Sequence, residues 1–115
     1  MTCRSCGSGW VSYEEKETDV AIATALVEDA AGKAFDTAII VSADSDLCPA
    51  VRSVRRLHPT AKLVAAFPPR RRSDDLRRAV DASLTIARSK LAHAQLPDQV
   101  LSPDGRPLTR PAKWR

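Results

Sequence analysis

The chain has 115 residues, of which 43% are hydrophobic, 28% charged and 4% aromatic. This length supports one compact domain, because separate domains usually need about 100 residues each. The longest apolar stretches are far shorter than the roughly 18 residues that a membrane helix needs, and the N-terminus lacks the apolar core of a secretory signal. We therefore expect a cytoplasmic protein with a single small core and no membrane segment.

The formal net charge of +4 is distributed unevenly along the chain. Residues 1–46 contain three basic and nine acidic side chains, whereas residues 47–115 contain fifteen basic and five acidic ones. Such an asymmetry predicts a polyanionic partner for the second half and a cation for the first. The alternative, which charge counts alone favour, is that both halves form solvated surface.

The chain contains three cysteines, an odd number that does not indicate a disulfide framework in a reducing compartment. Cys3 and Cys6 have the Cys-x-x-Cys spacing of zinc ligands. A tetrahedral zinc site needs four ligands, and no second pair follows at matching spacing. The two cysteines are therefore a zinc half-site, to be completed by a second chain or an upstream segment, or a remnant that binds no Zn²⁺.

The first regular elements follow an irregular head over residues 1–13. Apolar residues at helical spacing predict a helix over residues 17–31, with Thr18 as its N-cap and Gly32 as its stop. Residues 35–42 form a short apolar run without alternation. This run predicts a strand that is covered on both faces, as in a parallel sheet.

The rest of the chain continues the alternation of helices and strands. Residues 46–57 predict an amphipathic helix that ends at an exposed His58, and residues 62–67 predict a second strand. Four further elements are predicted: a helix over 73–81 capped by Ser73, a strand over 84–87, helical turns over 88–95, and an extended arm or hairpin from residue 96. The order predicts a layered α/β fold with right-handed crossovers.

Two acidic residues, Asp44 and Asp46, follow the first predicted strand. The carboxyl ends of parallel strands are where α/β proteins place their sites, and carboxylates are the ligands of hard divalent ions. Asp19, at the start of the first helix, joins them if that helix begins at the same edge. The alternative is that Ser45 or Asp46 caps the second helix while Asp44 is solvated.

Two motifs in this order resemble the second half of an NYN domain, in the PIN-like ribonuclease group that includes LabA-type proteins. The first is residues 16–20 with the alanine-rich helix that follows, and the second is the strand ending Val-Ser-Ala-Asp-Ser-Asp-Leu-Cys-Pro-Ala-Val. The resemblance spans roughly residues 14–90. It implies a Rossmann-like three-layer α/β/α sandwich whose acids bind Mg²⁺ or Mn²⁺ and cleave RNA. Asp19, Asp44 and Asp46 match the acidic positions and are the implied metal ligands and catalytic residues. Ser42 matches a small polar residue beside them, implied to contact the nucleic acid.

The chain departs from the family pattern at its start. NYN domains begin with a strand ending in an aspartate and an asparagine that complete the metal site, and no such strand precedes Glu14. We therefore expect a partial NYN domain over residues 14–95, between the Cys-x-x-Cys head (1–13) and a basic, Pro-rich tail (96–115). The sheet edge left without its first strand predicts a homodimer, or an upstream protein segment that completes the sheet.

The basic second half is expected to hold the RNA backbone. The predicted contacts are five arginines around the third helix: Arg70, Arg71, Arg72, Arg77 and Arg78. Asp74 and Asp75 in the same run are explained by helix capping and the helix dipole. Aromatic residues for stacking bases are scarce, so no sequence-specific readout is predicted.

Two other functions compete with a nuclease. The first is a catalytically incomplete NYN remnant that binds RNA or a protein partner. The second is a haloacid-dehalogenase-like phosphatase, because a strand followed by Asp-x-Asp also opens that family, with Asp44 as its nucleophile. The phosphatase ranks third, since Leu47 and Cys48 stand where that pattern expects a threonine or valine. Cys48 is predicted to be a packed residue.

Overall fold

The computed structural model describes residues 4–9, 11 and 16–114. Strands and helices alternate through the first three quarters of the chain, and a short hairpin follows. The elements are α1 (Thr18–Ala31), β1 (Thr37–Val41), a 3₁₀ turn (Ser45–Leu47), α2 (Cys48–Leu57), β2 (Lys62–Phe67), α3 (Asp74–Ala79), β3 (Ala82–Thr85), α4 (Arg88–His93), β4 (Gln99–Leu101), β5 (Pro107–Thr109) and a final 3₁₀ turn (Ala112–Trp114). The order of the helices and strands agrees with the sequence predictions, whereas the two 3₁₀ turns were not predicted. Helix α2 begins two residues later than expected and β3 two residues earlier.

Strands β1, β2 and β3 form one parallel sheet in that order. Ala38 pairs with Leu63 and Ile40 with Ala65 across the first pair of strands. The three strands therefore end at the same edge, which we call the carboxyl edge of the sheet. The predicted α/β fold with a parallel sheet is confirmed.

The core lies between one face of the sheet and the helices. Ile40, Leu63, Ala65 and Phe67 alternate along β1 and β2 and pack with buried side chains from α2 and α3. Because α2 contacts both α1 and α3, these helices share that face of the sheet. The described residues thus supply one of the two helical layers of an α/β/α sandwich.

The opposite face of β1 is open to solvent. Ile39 and Val41 are 64% and 61% exposed, so the expectation that β1 is covered on both faces is wrong for the described part of the chain. An apolar run is typical of a strand that is buried on both faces, but the layer that covers the second face is another segment of the chain or of a partner. Within the described residues, β1 pairs with β2 alone and forms an edge of the sheet. The homodimer, or the protein segment that would complete the sheet, stays a prediction.

Two helix-end predictions differ from the structure. Thr18 is the first residue of α1, and Glu17 occupies the N-cap position with a left-handed φ of 74°. Gly32 ends the helix as predicted, since its N–H donates to the Glu28 carbonyl oxygen at 3.0 Å. His58 is buried, not exposed: its Nε2–H donates to the Phe35 carbonyl oxygen at 2.8 Å. The ring thereby links the end of α2 to the segment before β1.

Asp81 joins the starts of β2 and β3. Its Oδ2 accepts a hydrogen bond from the Leu63 N–H at 2.7 Å, and its Oδ1 lies 3.1 Å from Nη1 of Arg55. The Asp81 N–H donates in return to the Leu63 carbonyl oxygen at 2.9 Å. The hydrogen bond from Leu63, followed by the contact with Arg55, lowers the pKa of Asp81 below its usual value. The ionised carboxylate therefore stabilises the fold.

Replacing Asp81 with alanine should lower the free energy of unfolding at neutral pH by about 1–2 kcal/mol, because the Leu63 N–H loses its acceptor. The folded pKa is depressed, so this stabilisation is present above the unfolded pKa of about 3.9 and is lost as the pH falls through the folded pKa. The difference in free energy of unfolding between wild type and Asp81→Ala should therefore become smaller at acidic pH. Urea unfolding across pH checks this, with Asp36→Ala as an exposed control. A constant difference at all pH values would contradict it.

The segment after β3 extends from the α/β unit. Strands β4 and β5 pair antiparallel, with Gln99 opposite Thr109, so of the two predicted alternatives, an extended arm or a hairpin, the hairpin is the one that forms. The radius of gyration is 18.9 Å, compared with about 13 Å for a compact chain of this length, so the chain does not form one compact globule. No helix in the described part of the chain is long and apolar enough to cross a membrane.

Candidate functional site at the carboxyl edge of the sheet

A tight turn follows β1 and carries the two acids predicted there. The Ser42 Oγ accepts a hydrogen bond from the Asp44 N–H at 3.1 Å, and the Asp44 Oδ1 accepts one from the Asp46 N–H at 2.9 Å. The expected alternative, in which Ser45 or Asp46 is the cap, is thus wrong: Asp44 caps the 3₁₀ turn. Side chains of this kind fix a turn by bonding to backbone two residues on.

The Asp44 carboxylate is half-buried and held by its own turn. Its Oδ1 accepts the capping hydrogen bond from the Asp46 N–H, whereas its Oδ2 takes no part in that bond. The cap and a ligand therefore use different atoms, and capping does not exclude a second role. The serine hydroxyl of Ser42 orients the Asp44 backbone, while its contact with nucleic acid stays a prediction.

Asp46 is exposed and lines a crevice of about 560 Å³, which we call the Asp46 crevice. The crevice lies between the start of α2 and α3, and its charged lining residues are Asp46, Arg52 and Asp75. Asp75 is also bonded to Arg78, whose Nη2 donates to Oδ1 at 2.8 Å. Of the three acids predicted from the sequence, Asp46 is the one that lines this space.

Sequence reasoning missed Arg52 and Asp75 as neighbours of Asp46. The amphipathic pattern of residues 46–57 predicts that Arg52 faces away from the core, and the helix dipole explains Asp75 without a neighbour. The signal that was available is the right-handed crossover, because α3 starts after β2 at the same edge at which β1 ends. Contact between α3 and the 3₁₀ turn then places Asp75 opposite Asp46.

The acids of the described residues do not assemble a metal cage. Residues 4–9, 11 and 16–114 contain no group of three or more His, Cys, Asp or Glu side chains that could hold a metal ion. Asp19 lies exposed in the first turn of α1 and does not form such a group with Asp44 and Asp46. Mg²⁺, however, is often bound by one or two carboxylates together with waters and substrate phosphates. The two carboxylates of the Asp44 turn fit that donor chemistry.

The basic loop after β2 lies at the same carboxyl edge. Arg70 has a left-handed φ of 60°, and the Arg71 N–H donates to the Pro68 carbonyl oxygen at 3.2 Å. Both side chains are exposed and form no ion pair within the part of the chain that the structure describes. They are therefore free to meet an anion there.

The remaining predicted arginines are engaged with the first turn of α3. Arg72 and Arg77 both approach Asp74, and Arg78 pairs with Asp75. Ser73 caps this helix as predicted, since its Oγ accepts from the Leu76 N–H at 3.1 Å. These exposed ion pairs are weak, so a phosphate can compete for the arginines.

The predicted zinc half-site falls partly outside the described residues, because Cys3 is not among them. Cys6 is exposed, with its Sγ 3.2 Å from the Ser8 Oγ. Zinc binding by the pair stays a prediction. Cys48 is buried in the core, as predicted.

Comparison with known proteins gives one family and one similar structure. The NYN domain family model matches residues 3–87. The crystal structure of a protein of unknown function from Vibrio parahaemolyticus is similar with a TM-score of 0.53 and 22% identity, over 70% of this chain and 51% of that one. The chain thus spans about half the length of that structure, and the likeness concerns the fold. No curated protein matches the chain.

The matched residues contain α1, the whole parallel sheet, the Asp44 turn and the basic loop. They make up most of the chain. The match therefore covers both the acidic and the basic sides of the candidate site. The chain belongs to the NYN domain family, a PIN-like family whose members are generally ribonuclease-like.

Proposed function

We propose that this chain hydrolyses phosphodiester bonds of RNA with Mg²⁺ or Mn²⁺, in the cytoplasm. The observation that carries the proposal is the turn after β1, which holds Asp44 and Asp46 at the carboxyl edge of an NYN domain. Carboxylates at this edge are suited to a hard divalent ion and to substrates that approach the ends of the strands.

The proposed metal ligands are Asp44, through Oδ2, and Asp46. Asp19, which the family resemblance also implies, lies in the first turn of α1 and forms no three-residue group with them, so it is not included. When bound, the ion polarises the scissile phosphate and lowers the pKa of an attacking water. The hydrogen bond from the Asp44 N–H to Ser42 holds the turn. A fixed turn keeps the Asp44 carboxylate in place, so its orientation need not be established when RNA arrives.

Arg70 and Arg71 supply the proposed grip on the RNA backbone. Their exposure and their position in the loop after β2 put positive charge at the edge that carries the two carboxylates. Contacts of this kind are independent of base sequence and weaken as salt rises. Arg52 extends the positive charge into the Asp46 crevice, where it can face a phosphate beside Asp46.

A second candidate function is an NYN module that binds RNA or a protein without cleaving. The observation that favours it is that the described residues hold no group of three metal-binding side chains, while the basic loop is exposed. The two functions differ in their response to chelation. EDTA abolishes metal-dependent hydrolysis, whereas backbone binding by arginines persists.

The experiment incubates the wild-type chain with a labelled single-stranded RNA and Mn²⁺, with and without EDTA, and measures cleavage and binding in parallel. We expect cleavage with Mn²⁺, none with EDTA, and binding in both conditions. Binding without cleavage under Mg²⁺ and Mn²⁺ would contradict hydrolysis and support the binding module. Cleavage that persists in EDTA would contradict the role of the metal.

A further inference from the structure

A second crevice, of about 270 Å³, lies between α3 and the edge strand β3. We call it the β3 crevice. It is lined by two guanidinium groups and two hydroxyl groups beside two apolar residues, namely Arg72, Arg77, Ser83, Thr85, Phe67 and Leu84. Four residues whose side chains carry hydrogen-bond donors thus border one space.

The position of the two hydroxyl groups is unusual for this sheet. The register pairs Ser83 with Ala65 and Thr85 with Phe67, so the hydroxyls lie on the face that is apolar in β1 and β2. Both residues are exposed, so within residues 4–9, 11 and 16–114 no helix covers this face at β3. The edge strand therefore presents polar donors where the core ends.

The charges around the β3 crevice leave a surplus of one positive charge. Asp74 lies between the two arginines, with Oδ1 3.4 Å from Nε of Arg72 and 3.9 Å from Nε of Arg77. One carboxylate cannot satisfy two guanidinium groups, each of which carries five N–H donors. Both arginine side chains are about half exposed, so their remaining donors are accessible.

We infer that the β3 crevice binds one phosphodiester group of an RNA backbone. Arg72 and Arg77 donate to its non-bridging oxygens, and the hydroxyls of Ser83 and Thr85 supply the further donors. A phosphodiester carries a single negative charge, which matches the surplus, whereas a phosphomonoester carries nearly two. This inference rests on the proposed function for its ligand, but it concerns binding and requires no hydrolysis.

The crevice would hold a phosphate other than the one that is cleaved. Strand β3 ends at the same edge as β1, with β2 between them. An RNA strand crossing this edge meets the β3 crevice on one side and the Asp44 turn on the other. The β3 crevice therefore acts as a backbone anchor beside the hydrolytic site.

The first test removes the hydroxyls without changing the charge. Binding of a fluorescein-labelled oligouridylate is measured by anisotropy in EDTA, so that no cleavage occurs. The double variant Ser83→Ala, Thr85→Val should bind about 30-fold more weakly, because two hydrogen bonds of about 1 kcal/mol each are lost. The matched control, Thr60→Val with Ser89→Ala, removes two exposed hydroxyls elsewhere and should bind like wild type. Circular dichroism confirms that both fold.

The second test changes the charge. Asp74→Asn should tighten binding several-fold, because both crevice arginines gain free donors. Asp98→Asn is the matched control, since Asp98 Oδ1 lies 3.5 Å from Nε of Arg110 in the hairpin. The double variant Arg72→Ala, Arg77→Ala should reduce the salt slope of binding by about 0.7, the value for one phosphate on a single strand.

The inference is overturned if the hydroxyl variant binds like its control, if Asp74→Asn and Asp98→Asn have equal effects, or if the wild type binds no RNA. Inorganic phosphate that competes as well as an RNA dinucleotide would also overturn the choice of a phosphodiester. Intact binding with no cleavage in Mn²⁺ would contradict the proposed hydrolysis alone and leave the β3 crevice supported.

Discussion

Asp44→Asn is expected to lower the rate of RNA cleavage by about 10²–10³-fold, the cost typical of losing one charged or hydrogen-bonding group at a reacting centre. The amide oxygen of asparagine can still accept the Asp46 N–H, so the turn should survive. The negative charge at the second oxygen, the proposed metal contact, is lost. The loss should therefore appear in the cleavage step more than in RNA binding.

Single-turnover cleavage of a labelled RNA with Mn²⁺ measures this effect. Asp36→Asn removes an exposed carboxylate outside both crevices and is the matched control, expected to cleave at the wild-type rate. If Asp44→Asn cleaves as fast as this control, Asp44 is a turn cap without a catalytic role. Raising the Mn²⁺ concentration should restore part of the lost rate, because the remaining carboxylate still attracts the ion.

Leu63→Ala is expected to lower the free energy of unfolding by about 3–5 kcal/mol, through lost burial and the cavity that remains. Leu63 is fully buried at the centre of the three-stranded sheet. The free energy of unfolding of a small domain is only about 5–15 kcal/mol, so this variant should be partly unfolded at moderate temperature. Urea unfolding measures the change, with Leu96→Ala as a control because Leu96 is 70% exposed.

The control should shift the free energy of unfolding by less than about 0.5 kcal/mol. A loss below about 1 kcal/mol for Leu63→Ala would be smaller than the transfer free energy of a buried leucine side chain, even if the site collapsed around the cavity. That result would contradict a core centred on β2.

Local patterns predicted the elements of this fold well. The apolar run over residues 62–67 predicted the bounds of β2, and Ser73 was predicted as the cap of α3. Both features depend on neighbouring residues, which a sequence displays directly. The alternation of helices with apolar strands likewise predicted a parallel sheet, because right-handed crossovers leave few other arrangements.

Features that depend on distant contacts were predicted less well. The apolar character of Ile39 and Val41 indicated burial, yet both are exposed in the described structure, because burial depends on a second layer. His58 was expected in solvent at a helix end, but its ring reaches the Phe35 carbonyl oxygen. A helix terminus says nothing about which segment packs against it.

The candidate site likewise has features that local sequence predicts and features that depend on distant contacts. The position of the turn with Asp44 and Asp46 was predicted from the apolar strand that precedes it, which is local information. The packing of α3 creates both the Asp46 crevice, which Asp46 and Asp75 line, and the β3 crevice, which Ser83 and Thr85 line with two arginines. That packing decides which charges meet, and the sequence order alone does not reveal it.

The central claim is that the carboxylates of the Asp44 turn hold a divalent ion when RNA is bound. The most direct measurement is Mn²⁺ binding by electron paramagnetic resonance, for the wild-type chain and for the double variant Asp44→Asn, Asp46→Asn, each with single-stranded RNA on ice. We predict that the wild type binds one Mn²⁺ that the double variant does not bind. Equal Mn²⁺ binding by the two chains would contradict the claim.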